Sequence, residues 1–109
     1  MKTNKLIHLG SRKNISPANI LMLKSDSNYT IIYLNDGSKI MSSTTLGIIE
    51  KRLKDFGFFR PNRSTIFNLE FMADYENKAQ SGYGRISLKN NEKIALSRRK
   101  SEAFLKIFQ

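Results

Sequence analysis

Residues 29–53 read YTIIYLNDGSKIMSSTTLGIIEKRL, and this stretch decides the fold. Tyr29 to Leu34 is rich in β-branched and aromatic side chains, which suit a pleated, half-buried surface and predict a strand. Asn35-Asp36-Gly37 predicts a tight primed hairpin turn, because Asp-Gly readily supplies positive φ angles, and it joins the strand antiparallel to SKIMS. From Ser42 the period changes. In SSTTLGIIEKRLKDFG, Leu46, Ile49 and Leu53 recur at spacings of three and four, hydroxyl residues offer N-caps and Gly57 offers a stop. The expectation is one amphipathic helix of about three turns laid on a sheet.

Outward from this core the same strand signals repeat. Upstream, ILML (Ile20 to Leu23) follows Pro17 and reads as a buried strand, with KSDSN as the polar turn before Tyr29. Downstream come STIFNL, EFMADYE, GRISL and KIALS, the last two forming a hairpin around Asn90-Asn91, where asparagine tolerates left-handed geometry. RRKSEAFLKIF predicts a C-terminal helix with Phe104, Leu105 and Phe108 facing inward. About seven strands and two short helices make a mainly β domain.

The chain has 109 residues, enough for one domain with one modest core. Its 39% hydrophobic content is that of a globular chain, and no apolar run is long enough to span a membrane as a helix. MKTNKLIHLG lacks the apolar core of a signal peptide, so the cytoplasm is the expected compartment. With no cysteine and one histidine, His8, neither a disulfide nor a zinc site is expected.

Charge is the strongest compositional signal. Nineteen Lys and Arg against nine Asp and Glu give a net charge of +10, the footprint of a polyanionic partner. Nucleic acid and anionic membrane are the candidates, and the absence of a basic amphipathic helix favours nucleic acid. The bland alternative is a solvated basic surface. The excess is uneven: from Arg85 onward there are seven bases against two acids, while the middle of the chain is close to balanced.

Without a helix-turn-helix, zinc-finger or basic-zipper pattern, a β-rich domain must present its charges from loops and strand ends. Three polar segments fit: Lys24 to Thr30, Arg60 to Ser64 and Ser97 to Lys100. Arg60, Arg63, Arg98 and Arg99 are four of the seven arginines, and the guanidinium fork grips guanine acceptors or phosphate in a way lysine cannot. The competing reading pairs these arginines with Asp55, Glu70 or Glu102. Catalysis finds no support: no serine has a base nearby, His8 falls in an N-terminal segment expected to fray, and no glycine-rich phosphate loop is present.

The order of these segments resembles the LytTR family of bacterial DNA-binding domains. NILMLKSDSNYTIIYLNDGSKI, TTLGIIEKRL, FFRPNRSTIFNL and GRISLKNNEKIALSRRK follow the family's order across residues 19–108. The family's F-x-R-x-H-R-S-x-x-V-N reads here as F-F-R-P-N-R-S-T-I-F-N, and its V-S-R-R reads as L-S-R-R. The resemblance implies an elongated stack of small antiparallel β-sheets with one or two short helices. Its loops would enter successive major grooves of double-stranded DNA.

Carried over by position, the resemblance places base-reading side chains at Tyr29, with Asn28 beside it, at Arg63, and at Arg99 next to Arg98. Arg60 and Ser64 would hold the RPNRS segment and reach phosphate, Asn62 would keep a phosphate or backbone contact, and Asn68 and Phe59 would be structural. Lys24, Lys89, Lys93 and Lys100 would position the domain through phosphates. Family members pair on direct repeats, which implies a homodimer on DNA, and no cofactor is expected.

Two departures stand out: Asn62 replaces the family's histidine, so no charge changes there with pH, and Pro61 stiffens the segment and removes a donor. Residues 1–18 read as a lead-in and 19–109 as the binding domain. With so short a lead-in, a free-standing reader is expected over an excised output domain of a phosphorylated regulator. The alternative function is a protein-interaction module that pairs with a related regulator and modulates it. RNA binding ranks third, since no strand carries the aromatic pattern of an RNA-recognition sheet.

Overall fold

The computed structural model describes residues 6–9, 14–78 and 83–107, and Phe108, expected to face inward, lies outside them. A five-stranded antiparallel sheet forms the middle layer, in the order β5-β4-β3-β7-β6. Its strands are β3 (Ile20–Asp26), β4 (Tyr29–Leu34), β5 (Lys39–Ser42), β6 (Phe58–Asn62) and β7 (Thr65–Asn68). On one face lie α1 (Leu46–Arg52) and a short ribbon of β1 (Ile7–His8) and β2 (Asn14–Ile15). On the other lie α2 (Arg98–Lys106) and a three-stranded sheet of β8 (Met72–Lys78), β9 (Tyr83–Leu88) and β10 (Lys93–Leu96). The body measures 44 × 35 × 24 Å, which agrees with the expected elongated, mainly β stack.

β3 serves both faces. Ile20 and Leu23 join Ile32, Ile66 and the α1 stripe of Leu46, Ile49 and Leu53 in one core. Leu21 and Met22 join Phe67, Ile86, Leu88, Ile94, Leu96 and Phe104 in the other. A register shift between Ile20 and Met22 explains how two consecutive residues face the same way, since an extra residue in one strand breaks the alternation.

Several expectations are corrected. The N-terminal segment does not fray at His8: Ile7 pairs with Ile15, His8 with Asn14, and Leu9 is fully buried. Helix α1 has seven residues, about two turns, and the hydrogen-bonded turns after it run on to Gly57 at φ 80°. Its N-cap residue Thr45 makes no side-chain cap bond. The hydroxyls of Ser42 and of the neighbouring Thr30 bond backbone instead. Ser42 Oγ donates to Leu9 O and accepts from Thr44 N, and Thr30 Oγ1 donates to Thr44 O at 2.7 Å.

The turn at Asn35-Asp36-Gly37 forms, but only Gly37 takes positive φ, at 92°. Gly37 N bonds to Leu34 O and Leu34 N to Ser38 O, so this is a three-residue loop with a left-handed last position, not a two-residue primed turn. The Asn90-Asn91 turn repeats it bond for bond: Asn91 N to Leu88 O, Leu88 N to Glu92 O, and Asn91 at φ 72°.

Candidate nucleic-acid interface

The β3–β4 and β6–β7 turns lie at one end of the five-stranded sheet, and the β10–α2 junction docks beside them. Strand β3 runs straight through Lys24–Asp26, so the turn before Tyr29 shrinks to two residues, Ser27 and Asn28. Ser27 sits at φ 55°, an uncommon conformation for a side chain other than glycine. Tyr29, the first residue of β4, is 48% exposed.

Arg60 to Asn62, read from sequence as loop, belongs to edge strand β6. Pro61 sits within a register shift between Phe59 and Asn62, where an edge strand tolerates a residue without an N–H. Arg63 and Ser64 alone form the exposed turn to β7. Asn62 shapes it: Oδ1 accepts from Ser64 N at 2.9 Å and Ser64 Oγ at 3.1 Å, while Nδ2 donates to Ala95 O at 2.7 Å. This amide bonding is what the substitution of asparagine for histidine provides here.

Backbone bonds tie the three segments together. Ser25 N donates to Ser64 O at 2.9 Å, linking the first to the second, and Ser97 N donates to Pro61 O at 3.0 Å, linking the second to the third. Beyond Ser97, Arg98, Arg99 and Lys100 form the first turn of α2, with no acid in that turn. Cations at the positive end of a helix oppose its dipole by a few tenths of a kcal/mol each. That placement weakens the helix and concentrates positive potential at one spot.

Glu50, Arg60, Asn62, Arg63, Ser97, Arg99 and Lys100 line an open hollow of about 260 Å³ between these segments. Within it Arg60 is turned inward. Its Nη1 lies 2.9 Å from Glu50 Oε1 on α1, and its Nη2 donates to Arg63 O at 2.6 Å. The acid that pairs with Arg60 is therefore Glu50, not Asp55, Glu70 or Glu102. Helical periodicity sets Glu50 four residues after the buried Leu46 and three before the buried Leu53, a signal that could have pointed to it.

The structure thus gathers Arg60, Asn62, Arg63, Arg99 and Lys100 around one hollow, with Ser64 in the adjoining turn and Asn28 and Tyr29 on the linked hairpin. Arg98 is exposed on the same first turn of α2. Lys93 does not line the hollow; its Nζ bonds to Ser87 Oγ at 3.0 Å. Lys24 lies 3.9 Å from Glu92 and over the Tyr33 ring, and Lys89 lines a separate hollow with Leu21, Leu34 and Phe71. Asn68 and Phe59 are structural as expected. Asn68 Nδ2 donates to Ile20 O at 3.0 Å while Oδ1 accepts from Glu70 N, and the Phe59 ring packs on Phe67 and Phe104.

A basic β-domain that displays arginines from linked turns, with no recognition-helix pair among the described residues, defines a loop-reading class of nucleic-acid-binding protein. The family model for the LytTr DNA-binding domain matches residues 10–109, and the chain belongs to this LytTR family. Among solved structures it is similar to the LytTr DNA-binding domain of a Bacillus cereus protein described as a methyl-accepting/DNA response regulator. The TM-score is 0.80 at 16% identity, over 97% of this chain and 98% of that one, a likeness of fold. No curated protein matches the chain. It is a DNA-binding domain of transcription regulation. Among the described residues no helix is long and apolar enough to cross a membrane.

Proposed function

We propose that the chain reads double-stranded DNA sequence-specifically in the cytoplasm of a bacterium, with its three linked segments set along successive grooves. Arg63, Arg99 and Tyr29 meet base edges, Asn28 lies beside them, and Lys100, Arg98 and Ser64 hold phosphates. Two copies sit side by side on direct repeats. The observation that carries this reading is the hydrogen-bonded line from Ser25 through Ser64, Asn62 and Pro61 to Ala95 and Ser97, which holds all three segments in one frame. A preorganised frame loses less freedom on binding than three independent loops.

Selection from a random duplex pool, followed by titration of the recovered site, tests the reading. Arg99→Ala is expected to cost on the order of 1 to 3 kcal/mol and to relax preference at one base position. Lys100→Ala is expected to weaken all sequences alike and to lower the salt slope by about one. Unchanged selectivity in Arg99→Ala sinks the base-reading role.

A further inference from the structure

We propose that Glu50 is a specificity-determining residue: its carboxylate occupies Arg60, so that this arginine braces the Arg63 turn instead of gripping a DNA phosphate. The inference rests on the DNA-reading function proposed above and adds a residue from outside the reading segments.

The geometry carries it. Among the described residues, Glu50 is the one acid lining a hollow that also holds Arg60, Arg63, Arg99 and Lys100. Both terminal nitrogens of Arg60 are engaged, Nη1 with Glu50 Oε1 at 2.9 Å and Nη2 with Arg63 O at 2.6 Å. Its guanidinium lies against the first turn of α1, where a Cβ on Gly47 would stand 3.9 Å from Nη1. The Arg60 side chain is 23% exposed and that of Glu50 43%, so solvent and a docked phosphate both reach the pair.

A carboxylate and a phosphate compete for the same planar fork. A partly exposed ion pair of this kind is weak, so a polyanion can contest it, and losing the carboxylate decides the contest for DNA. The freed fork then faces the hollow beside three other cations and no longer supports the carbonyl of Arg63. Removing Glu50 thus adds a contact that every sequence supplies and loosens one that reads a particular base. Non-specific binding tightens, and selectivity falls.

Fluorescence titration of the full chain against two labelled duplexes, one random and one recovered by selection, over a series of salt concentrations tests this. Glu50→Gln is expected to bind the random duplex more tightly than the unmodified chain. The slope of log K against log salt steepens by about 0.9, the value for one added phosphate contact. The ratio of selected to random affinity falls. Adding Arg60→Met to Glu50→Gln returns the slope to its original value. Should Glu50→Gln not fold by circular dichroism, Glu50→Ala is read in the same way.

An unchanged slope and ratio, with only a lowered melting temperature, overturns the inference and leaves Glu50 a plain structural partner. No salt-dependent binding by the unmodified chain overturns the DNA-reading function, and the inference with it.

Discussion

The turns remote from the hollow rest on local bonds alone, whereas the segments beside it lean also on partners far along the chain. At Asp36-Gly37 and Asn90-Asn91 each residue suits its place. The left-handed position holds glycine or asparagine, and the residue before it, Asp36 or Asn90, accepts the amide N–H of Ser38 or Glu92. Beside the hollow only Asn62 repeats that bond, accepting the amide N–H of Ser64, and three other choices are locally poor: a serine at φ 55°, a proline in a strand, and three cations opening a helix. These segments are held by bonds to partners far along the chain, such as Asn62 to Ala95 and Ser97 to Pro61. Local rules fail where a surface serves a purpose other than its own stability.

Asn62→Ala puts the largest strain on this contrast. It removes the bond to Ala95 and both bonds to Ser64, and about 2 kcal/mol of stability is expected to be lost in urea denaturation. A loss no greater than that of a remote-turn variant breaks the contrast. Gly37→Ala is that variant. A Cβ at Gly37 meets nothing within 4 Å, so the cost is that of left-handed backbone alone, about 1 kcal/mol.

Ser27→Gly runs the other way. Relief of left-handed strain, less the greater freedom of glycine in the unfolded chain, leaves a gain of roughly 0.5 kcal/mol by thermal denaturation. If the Ser27 conformation serves DNA contact, this more stable variant does not bind more tightly.

The smallest effect concerns acid. The Ser38 hydroxyl first, and then its backbone N–H, hold the Asp36 carboxyl below the usual carboxylate range. A lowered folded value means the stabilisation is complete above the ordinary range near pH 4 and fades as pH falls through the folded value. Asn90, in the equivalent place, carries no charge. Amide exchange at Ser38 is therefore expected to speed up in acid relative to Glu92.

What was legible in the sequence follows the same division. The hairpins, the inward stripe of Leu46, Ile49 and Leu53, and the buried Phe104 were readable because spacing and turn chemistry are local. The β1–β2 ribbon was missed because two-residue strands carry no period. Arg60–Asn62 read as loop because a proline marks an interrupted strand, and only the assembled sheet shows it lying on an edge. At the hollow, the residue types were readable from their loops and the family likeness. The partner of Arg60 was not: Asp55 lies nearer in sequence, and helix α1 brings Glu50 within reach only once it packs on the sheet.

The register shift in β3 has a consequence for how the molecule comes apart. Because Leu21 and Met22 serve one core while Ile20 and Leu23 serve the other, a single strand is the wall common to both. Stripping away either outer layer exposes one side of that wall and leaves the remaining layer without a firm backing. The two halves are therefore expected to melt as one cooperative unit, with the arginines at the end of the sheet keeping their spacing for as long as the domain is folded at all.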